Sequence, residues 1–533
     1  MSLFKSAIIK YILITEIIFQ SFLECETKSY LKFLGSDIHQ PELAGWQSYI
    51  AEEFNQECFQ HLRSIFREAE CLIGRLPTKD SEIDKYKLVL DCIVQAKEIR
   101  SRLHALERSA FNAKPRYSPY IPIRFVPKEK ITKHDKLLLA FDALALSLAS
   151  GKMPPFGKII HGCRQKMVRI NLAGLMKTTR SIVKTIAAQQ PSDTPPRLIL
   201  NKHCAECEYQ PRCKQIALEK DDLSLLSSMS VAEIKKQQDK GIFTVTQLSY
   251  TFRPRRRSKH SASEPEKYHH ALKALAIREQ KIYVAGRPEL NIAGTPIYLD
   301  VEGVPDRDYY YLIGVRIKNG GIYNQHSFWA NGKSEEKEIW HSLLRTLAKV
   351  ESPQLIHYGS YETVFLKRMR DRYGEDGENP TFVERLIAQS VNLLSIIYAQ
   401  IYFPTYSNGL KEIARHLGFQ WSDEAASGAS ALMWRSKWEY AADPELKQKL
   451  ITYNAEDCTA LERVTEAVTR LCLNRNEPNR PRNDNTIHTD SLMRRSVYHW
   501  GRRISQSLSL RKSTSPLTGI TSAIRFMSDQ IHA

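Results

Sequence analysis

Four side chains in the C-terminal half of the sequence have the types and spacing of a metal-dependent hydrolytic site. Asp300 and Glu302 lie two positions apart in the apolar run 296–303, and Tyr453 precedes Asp457 by four positions. Side chains at these spacings share one face of a strand or of a helix. Two divalent metal ions held about 4 Å apart by such carboxylates could activate water and neutralise a leaving oxygen, which is the chemistry of phosphodiester hydrolysis.

A further acidic ligand is expected between these two segments. Glu362 is the candidate, because it begins a helix predicted directly after the short apolar strand 354–358, where the helix N-terminus stabilises a carboxylate. Ordinary surface acids are the simpler interpretation, since Asp-x-Glu alone is a weak signal, but the order and context of the segments favour a metal site. Lys411 is a candidate phosphate contact, and a solvated helix lysine is the favoured alternative.

The segments that must position these residues alternate between strand and helix. This alternation predicts an α/β domain over residues 293–472. The predicted strands are 297–301, 309–316 and 354–358. The predicted helices are 335–350, one that begins near Ser360 with a serine cap, 410–417 and 444–468. Gly418 is expected to end the third of these helices.

The rest of the chain divides into three further parts. Residues 1–215 are mostly helical in pattern, and residues 216–292 form a helical connector. Two short helices around Gly241 resemble a helix-hairpin-helix unit that holds phosphate with backbone amides, and a plain helix pair is an equal alternative. The basic tail 473–533 is expected to be poorly ordered or only loosely docked. Basic residues of the connector that are expected to add phosphate contacts are Arg253, Arg255, Arg256 and Arg257.

Composition bounds the class of protein and its partner. A chain of 533 residues predicts two or three domains, and 42% hydrophobic with 26% charged residues predicts a folded protein. The net charge of +18 favours a polyanionic partner, of which nucleic acid is the commonest. The apolar stretch 7–23 is interrupted by charge and short for a bilayer, so a buried strand and helix start is expected. No membrane association is predicted, and the thinly spread cysteines favour the cytoplasm.

A group of cysteines suggests a second metal centre. Cys204, Cys207 and Cys213 fall within ten residues, so that one short segment could present three thiolates to one centre. The fourth ligand could be Cys25, or His203 in a Cys3His zinc site. Iron–sulfur, zinc and no metal are all left open, with iron–sulfur favoured by ligand softness and spacing.

The acidic residues resemble the DEDD exonucleases of the ribonuclease H-like superfamily, in the subtype whose last motif is Tyr-x-x-x-Asp. The resemblance implies that Asp300, Glu302 and Asp457 bind two Mg2+ or Mn2+ ions and that Tyr453 positions the attacking water. Glu362 stands where that family usually has aspartate.

The order of the domains resembles a bacterial RecB-like nuclease family with a YprB-type C-terminal domain. That resemblance implies a ribonuclease H-like domain, a mixed sheet with flanking helices, after a mostly helical RecB-like α/β domain. It also implies that Cys25 joins the three downstream cysteines around a [4Fe–4S] cluster. No RecB-type set of catalytic acids is found between residues 88 and 172, so the first domain is expected to bind rather than cut. The predicted activity is 3′→5′ exonuclease on DNA or RNA; the alternative is a non-catalytic nucleic-acid-binding protein with a decayed or regulatory nuclease fold.

Overall fold

The computed structural model of the chain describes residues 13–39, 41–77, 79–109, 118–189, 195–254, 268–375, 381–473 and 485–492. Three of the predicted phosphate contacts, Arg255, Arg256 and Arg257, lie outside these residues.

The N-terminal part of the chain is an α/β unit built on one seven-stranded mixed sheet. Its strands are β1 Ile14–Thr15, β2 Cys71–Ile73, β3 Leu88–Ala96, β4 Ile99–Arg108, β5 Tyr120–Val126, β6 Gly157–His161 and β7 Lys166–Ile170. The order is β2-β3-β4-β5-β6-β7, and β1 pairs with the beginning of β4. Its helices are α1 Glu16–Glu24, α2 Glu26–Phe33, α3 Pro41–Ile65, α4 Asp80–Lys85, α5 Lys133–Ser150 and α6 Ala173–Gln189. The predicted α/β class is confirmed, although strands form more of this unit than its helical pattern indicates.

Burial explains why β5 has no strand-like pattern in the sequence. All seven residues of β5 are buried, so that strand has no alternation of apolar and polar side chains. α5 begins at the capping residue Thr132 and is buried without interruption from residue 137 to residue 146. A continuous apolar run of either kind carries little period, so periodicity alone does not identify β5 as a strand, whereas β4 does alternate between buried and more exposed residues.

The connector consists of short helices and one strand. These are α7 Gln210–Glu219, α8 Val231–Gln238, α9 Val245–Ser249, α10 His270–Glu279 and β8 Ile282–Val284. Ser230 and Glu233 form a capping box on α8, while Thr244 and Gln247 form one on α9. Gly241 supplies the left-handed turn between the two helices, with φ of +79°.

The amides at the start of α9 are hydrogen-bonded within the chain. The amide of Thr246 donates to Oδ2 of Asp221 at 2.7 Å, and the amide of Val245 donates to the Asp221 carbonyl at 2.8 Å. The amide of Thr244 donates to the side-chain oxygen of Gln247. An acidic side chain thus occupies the position where a phosphate was expected, which corrects the phosphate-binding interpretation in favour of a plain helix pair.

The C-terminal domain is a five-stranded mixed sheet with helices on both faces, as predicted. The sheet order is β11-β10-β9-β12-β13; β9, β10 and β11 are antiparallel, and β9, β12 and β13 are parallel. These strands are β9 Thr295–Val304, β10 Tyr309–Asn319, β11 Ile322–Trp329, β12 Pro353–His357 and β13 Val391–Asn392. The helices are α11 Glu336–Leu347, α12 Tyr361–Tyr373, α13 Phe382–Gln389, α14 Leu393–Ile397, α15 Leu410–His416, α16 Gly428–Ala441 and α17 Pro444–Leu473.

Alternation along β9 divides this domain into two cores. Ile297, Leu299 and Val301 face the core that contains residues of α11, α12 and α13. Tyr298 faces the opposite core, which contains residues of α15, α16 and α17. Asp300 and Glu302, two and four positions on from Tyr298, therefore point toward α17.

The beginning of the tail is docked on the connector. Strand β15, Thr486–His488, pairs in parallel with β8, and β14, Ile401–Tyr402, pairs with the other edge of β8. The expectation of a poorly ordered tail is therefore wrong for these three residues. The backbone N–H and C=O groups on both edges of β8 form hydrogen bonds with the two neighbouring strands.

Within the described residues, no helix is both long and apolar enough to span a bilayer.

Candidate active site

Strand β9 and helix α17 bring three carboxylates to one point. One carboxylate oxygen from each of Asp300, Glu302 and Asp457 lies within 4.8 Å of the other two. Among the described residues this is the one group of at least three acidic, histidine or cysteine ligand atoms that converges so closely. Divalent ions such as Mg2+ take oxygen ligands, and these three could share one ion or bridge a pair.

Burial and neighbouring acidic charge raise the pKa of all three acids. Burial is the largest cause for each of them, followed for Asp300 and Glu302 by the charge of Asp457. The pKa of Asp300 is held well above its ordinary value, that of Glu302 rises to about 8 and that of Asp457 to about 6. Asp457 is buried and Asp300 and Glu302 are partly buried, and carboxylates so placed with no matching number of cations favour a bound metal ion, because the ion would neutralise the charge that burial penalises.

Two neutral side chains hold the acids in place. Nδ2 of Asn454 donates to Oδ2 of Asp300 at 2.6 Å and approaches its carbonyl oxygen at 3.2 Å. The indole nitrogen of Trp421 donates to Oδ1 of Asp457 at 2.7 Å. Sequence reasoning missed both residues. Asn454 could have been found from its position beside Tyr453, on the helix face that carries Asp457 three residues later.

Gly314 on β10 allows α17 to come close to the sheet. A Cβ at this position would lie 2.1 Å from Oδ1 of Asn454 and 3.1 Å from Sγ of Cys458. Gly314 is paired directly with Asp300 across the sheet. The absence of a side chain therefore permits Asn454 to reach the first metal ligand.

Glu362 lies beside the converging group and outside it. The side chain is buried at the start of α12, and its charge raises the pKa of both Asp300 and Glu302. Oε2 lies 3.6 Å from Nδ1 of His357, and it has no hydrogen-bond partner among the described residues. In a two-metal site the outer ligands of the two ions are separated by more than the metal–metal distance, so this position suits a ligand of a second ion. Ser360 precedes α12 as predicted but makes no side-chain cap hydrogen bond.

Tyr453 is a buried phenol next to Asp457. Burial, followed by the charge of Asp457, raises the pKa of Tyr453 far above its ordinary value, and the two side chains are hydrogen-bonded. The hydroxyl is therefore neutral and donates a hydrogen bond to Asp457. Tyr361 is a second phenol near the acids: a Cβ on Gly303 would lie 2.7 Å from its hydroxyl oxygen, and burial followed by the charges of Tyr310 and Glu302 raises its pKa.

Lys411 points into the site, so the favoured alternative of a solvated helix lysine is wrong. Its Nζ donates to the carbonyl of Ala426 and lies 4.3 Å from the ring centroid of Tyr453. Burial lowers the pKa of Lys411, while Asp457 and Glu302 act against that shift. The ammonium group in turn lowers the pKa of Glu302 and Asp457.

The four predicted cysteine ligands line one cavity. Cys25, Cys204, Cys207 and Cys213 surround it together with His203. Cys25 lies between α1 and α2, and the other three lie in and around the start of α7. Burial raises the pKa of Cys207 to about 11 and that of Cys213 to about 12.

In the described part of the N-terminal unit, a buried acid is paired with other side chains, whereas a nuclease site would need several carboxylates that converge on one point. Asp142 is buried, accepts a 2.6 Å hydrogen bond from Ser101 and lies 3.3 Å from the buried Arg124. His104 on β4 accepts a hydrogen bond from the amide of Phe125. Arg253 of the connector is exposed, and its guanidinium donates to the carbonyls of residues 250 and 252.

Comparison with known proteins defines the class of the C-terminal domain. A family model of the RNase H superfamily matches residues 297–469, about a third of the chain. The match begins on β9 and ends in α17, so it includes all five predicted catalytic positions. The chain therefore carries a ribonuclease H-like domain at its C-terminal side, and this class indicates nuclease-type chemistry on nucleic acid. No curated protein matches the chain.

Proposed function

We propose that the protein is a metal-dependent 3′→5′ exonuclease whose active site is formed by Asp300, Glu302, Glu362, Tyr453 and Asp457. The convergence of three carboxylates from β9 and α17 within 4.8 Å is the observation that carries the proposal. The ribonuclease H-like class of the domain supports it, and the Tyr-x-x-x-Asp spacing favours the exonuclease subtype.

The donor set fits divalent ions. All four acids are hard oxygen ligands, their burial penalises uncompensated charge, and one oxygen of Glu362 has no hydrogen-bond partner among the described residues. Asp300, Glu302 and Asp457 would hold one Mg2+ or Mn2+ ion, and Glu362 with Asp300 or Glu302 the second. When bound, the ions supply charge neutralisation and an activated water for in-line attack on phosphorus.

The chain's own side chains orient the reactants. Asn454 and Trp421 fix the carboxylates, so the ligands need no rearrangement when an ion binds. The neutral hydroxyl of Tyr453 donates to Asp457 and can accept a hydrogen bond from the attacking water, which sets the direction of the water. Lys411 places a positive charge beside the same acids, where it can contact a phosphate oxygen.

The N-terminal unit and the connector are proposed to bind nucleic acid without cutting it. Within the described part of that unit, no three acidic, histidine or cysteine ligand atoms lie within 4.8 Å of one another, and the net charge of +18 supports a polyanionic partner. Arg253 and the neighbouring arginines are the proposed contacts.

We also propose that the four cysteines hold a [4Fe–4S] cluster, with zinc as the alternative. Four sulfurs around one zinc lie about 3.8 Å apart, from a Zn–S distance of about 2.3 Å. Within the described residues, no three cysteine sulfurs lie within 4.8 Å of one another, and a cluster of four irons suits wider spacing.

The cluster is tested by comparing aerobic and anaerobic preparations of the protein, which should differ in an absorbance band near about 400 nm and in iron content. Stoichiometric zinc without iron would contradict the cluster.

The nuclease proposal is tested with purified protein and labelled single-stranded DNA and RNA in the presence of Mg2+, Mn2+ or EDTA. We expect metal-dependent shortening from the 3′ end that is lost in Asp300→Ala and in Asp457→Ala. Asp371→Ala is the matched control, because Asp371 is an exposed aspartate on α12 whose ion pair within the described residues is with Arg370. Binding without hydrolysis in either metal would favour the non-catalytic alternative.

A further inference from the structure

A lysine of the connector is buried beside the C-terminal domain. Lys273 on α10 is 1% exposed, and it lies outside residues 297–469, which match the RNase H superfamily. Burial lowers the pKa of its ammonium group to about 7, while the charge of Glu412 acts against that shift. A buried ammonium group is costly unless its N–H donors are all satisfied. Its partners therefore indicate what this lysine does.

The ammonium group of Lys273 is held by residues 403–409, the segment between β14 and α15, which we call the 403–409 loop. Its Nζ lies 2.9 Å from Oδ1 of Asn408, 3.0 Å from the carbonyl oxygen of Phe403 and 3.1 Å from Oγ1 of Thr405. The carbonyl oxygen of Ser407 lies further away, at 3.4 Å. All of these acceptors are neutral, and the nearest three match the three N–H donors of an ammonium group. One side chain of the connector thus fixes both ends of the 403–409 loop.

The connector also holds the middle of this loop. Tyr406 is partly buried against the apolar core of the connector, whose buried residues include Leu223, Val245 and Ala274. The carbonyl oxygen of Tyr406 accepts a 3.3 Å hydrogen bond from the amide of Ser227. The conformation of the 403–409 loop therefore depends on contacts from outside the domain that contains the acids.

The 403–409 loop joins two sides of the candidate active site. The carbonyl oxygen of Asn408 accepts a hydrogen bond from the hydroxyl of Tyr358, which follows β12 and precedes Glu362 by four positions. Gly409 is the N-cap of α15, and Lys411 is the second residue of that helix. Asn408 is thus connected to the segment that carries Glu362 and to the helix that carries Lys411.

The first turn of α15 is fixed by the same loop. The amide of Ser407 donates to Oε2 of Glu412 at 2.8 Å, and the amide of Gly409 donates to Oγ of Ser407 at 3.1 Å. Displacement of the loop would therefore displace the first turn of α15. The ammonium group of Lys411 would then leave its position over the ring of Tyr453.

We propose that Lys273 is a positioning residue of the candidate active site, which holds the 403–409 loop so that Lys411 and the segment of Glu362 keep their places. The connector is thereby required for the geometry of a site whose acids all lie in another part of the chain. The proposal rests on the proposed nuclease function, to which the phosphate contact of Lys411 belongs. Loss of the ammonium group would leave the loop oxygens without their donor, and the loop would open to water.

Hydrogen exchange tests whether Lys273 holds the loop, independently of any activity. In the full chain, Lys273→Met should speed amide exchange in residues 403–417 by at least about tenfold and leave exchange in β9 unchanged. Ile234→Ala is the control, because it removes a buried apolar side chain from the core of the connector and no hydrogen bond to the loop. It should speed exchange in α8 and change exchange in residues 403–417 by less than about twofold. Unchanged exchange of residues 403–417 in Lys273→Met, or equal acceleration by both variants, would overturn the proposal.

Strand binding tests whether the loop positions Lys411. A labelled single-stranded oligonucleotide is titrated in the presence of Ca2+, at several salt concentrations, with the unaltered protein, Lys273→Met, Lys411→Met and the double variant. Each single variant should lower the slope of log affinity against log salt concentration by about one. The double variant should bind no more weakly than Lys411→Met, because both changes act through one phosphate contact. Additive losses in the double variant, or an unchanged slope in Lys273→Met, would overturn the role of Lys273.

The outcomes separate this proposal from the nuclease proposal. Non-additive binding by a protein that degrades no strand would leave the role of Lys273 standing and overturn the nuclease function. Degradation of strands together with additive binding losses would overturn the role of Lys273 alone. If strands are degraded, Lys273→Met should lower kcat/KM by about as much as Lys411→Met does, and chiefly through KM, as the loss of a phosphate contact predicts.

Discussion

The side-chain amide of Asn454 on α17 donates a 2.6 Å hydrogen bond to the carboxylate of Asp300 on β9. This contact joins the two elements that supply the metal ligands, and it fixes the orientation of Asp300 before any ion binds. Gly314, the cross-strand neighbour of Asp300, provides the space in which the contact forms. The geometry of the acidic group therefore depends on two residues that carry no charge.

Replacement of Asn454 by alanine should weaken metal binding more than it weakens substrate binding. Removal of a group that hydrogen-bonds to a metal ligand typically lowers metal affinity or activity by about 10–100-fold. We expect the Mg2+ concentration needed for half-maximal activity to rise within that range. An unchanged Mg2+ dependence in Asn454→Ala would contradict a positioning role, and Asp371→Ala again serves as control.

Replacement of Trp421 by phenylalanine should shift the pH profile upward. The indole N–H stabilises the charged form of Asp457, whose pKa already lies at about 6 because of burial. Without this donor the pKa of Asp457 should rise further, so that a smaller fraction is ionised near neutral pH. The acidic limb of the activity profile should then move to higher pH in Trp421→Phe. A limb that does not move would contradict the assignment.

A methyl group at position 314 should destabilise the domain and displace α17. The new Cβ would lie 2.1 Å from Oδ1 of Asn454, within a packed helix–sheet contact. Overpacking of this kind typically costs about 1–3 kcal/mol, so the thermal unfolding midpoint of Gly314→Ala should fall by several degrees. Gly332→Ala is the control, because nothing lies within 4 Å of a Cβ at that position. Equal midpoints for the two variants would contradict the close approach.

Stability and metal binding should both depend on pH through Glu302. Its pKa in the folded, metal-free protein is raised to about 8, from an ordinary value of about 4.3. The unfolded chain therefore loses this proton first, and the folded protein loses stability as the pH rises from about 4.3 to about 8. Millimolar Mg2+ should raise the unfolding midpoint more near about pH 8 than near about pH 6, since the ligands bind when deprotonated. Glu302→Gln should flatten this dependence; an equal Mg2+ effect at both pH values would contradict it.

Removal of the Lys411 ammonium group should weaken strand binding in a salt-dependent manner. A lysine that contacts one phosphate contributes about one unit to the slope of log affinity against log salt concentration. We expect Lys411→Met to reduce that slope by about one, and Lys411→Arg to preserve most of it. Lys437→Met is the control, because Lys437 forms its ion pair with Glu42 on α3, away from the acids. A slope that is unchanged in Lys411→Met would contradict phosphate contact.

The sequence determined the elements of the C-terminal domain and the faces of its acids. Asp300 and Glu302 are two positions apart on a strand and therefore point to the same face of the sheet. Tyr453 and Asp457 are four positions apart on a helix and therefore share one helix face. The predicted strands and helices of this domain agree with β9, β10, β12, α11, α12, α15 and α17. These features follow from local periodicity and from capping or glycine signals, which a single sequence contains.

Tertiary structure decided which neutral residues complete the site and how its charges behave. Asn454, Trp421 and Gly314 become part of it only because α17 and the loop before α16 close over the sheet, and no local pattern encodes those long-range contacts. Lys411 points at the acids for the same reason. In the N-terminal unit, continuous burial erased the alternation that would have indicated β5. The raised pKa values likewise arise from burial and mutual repulsion, which exist only once the separate segments have met.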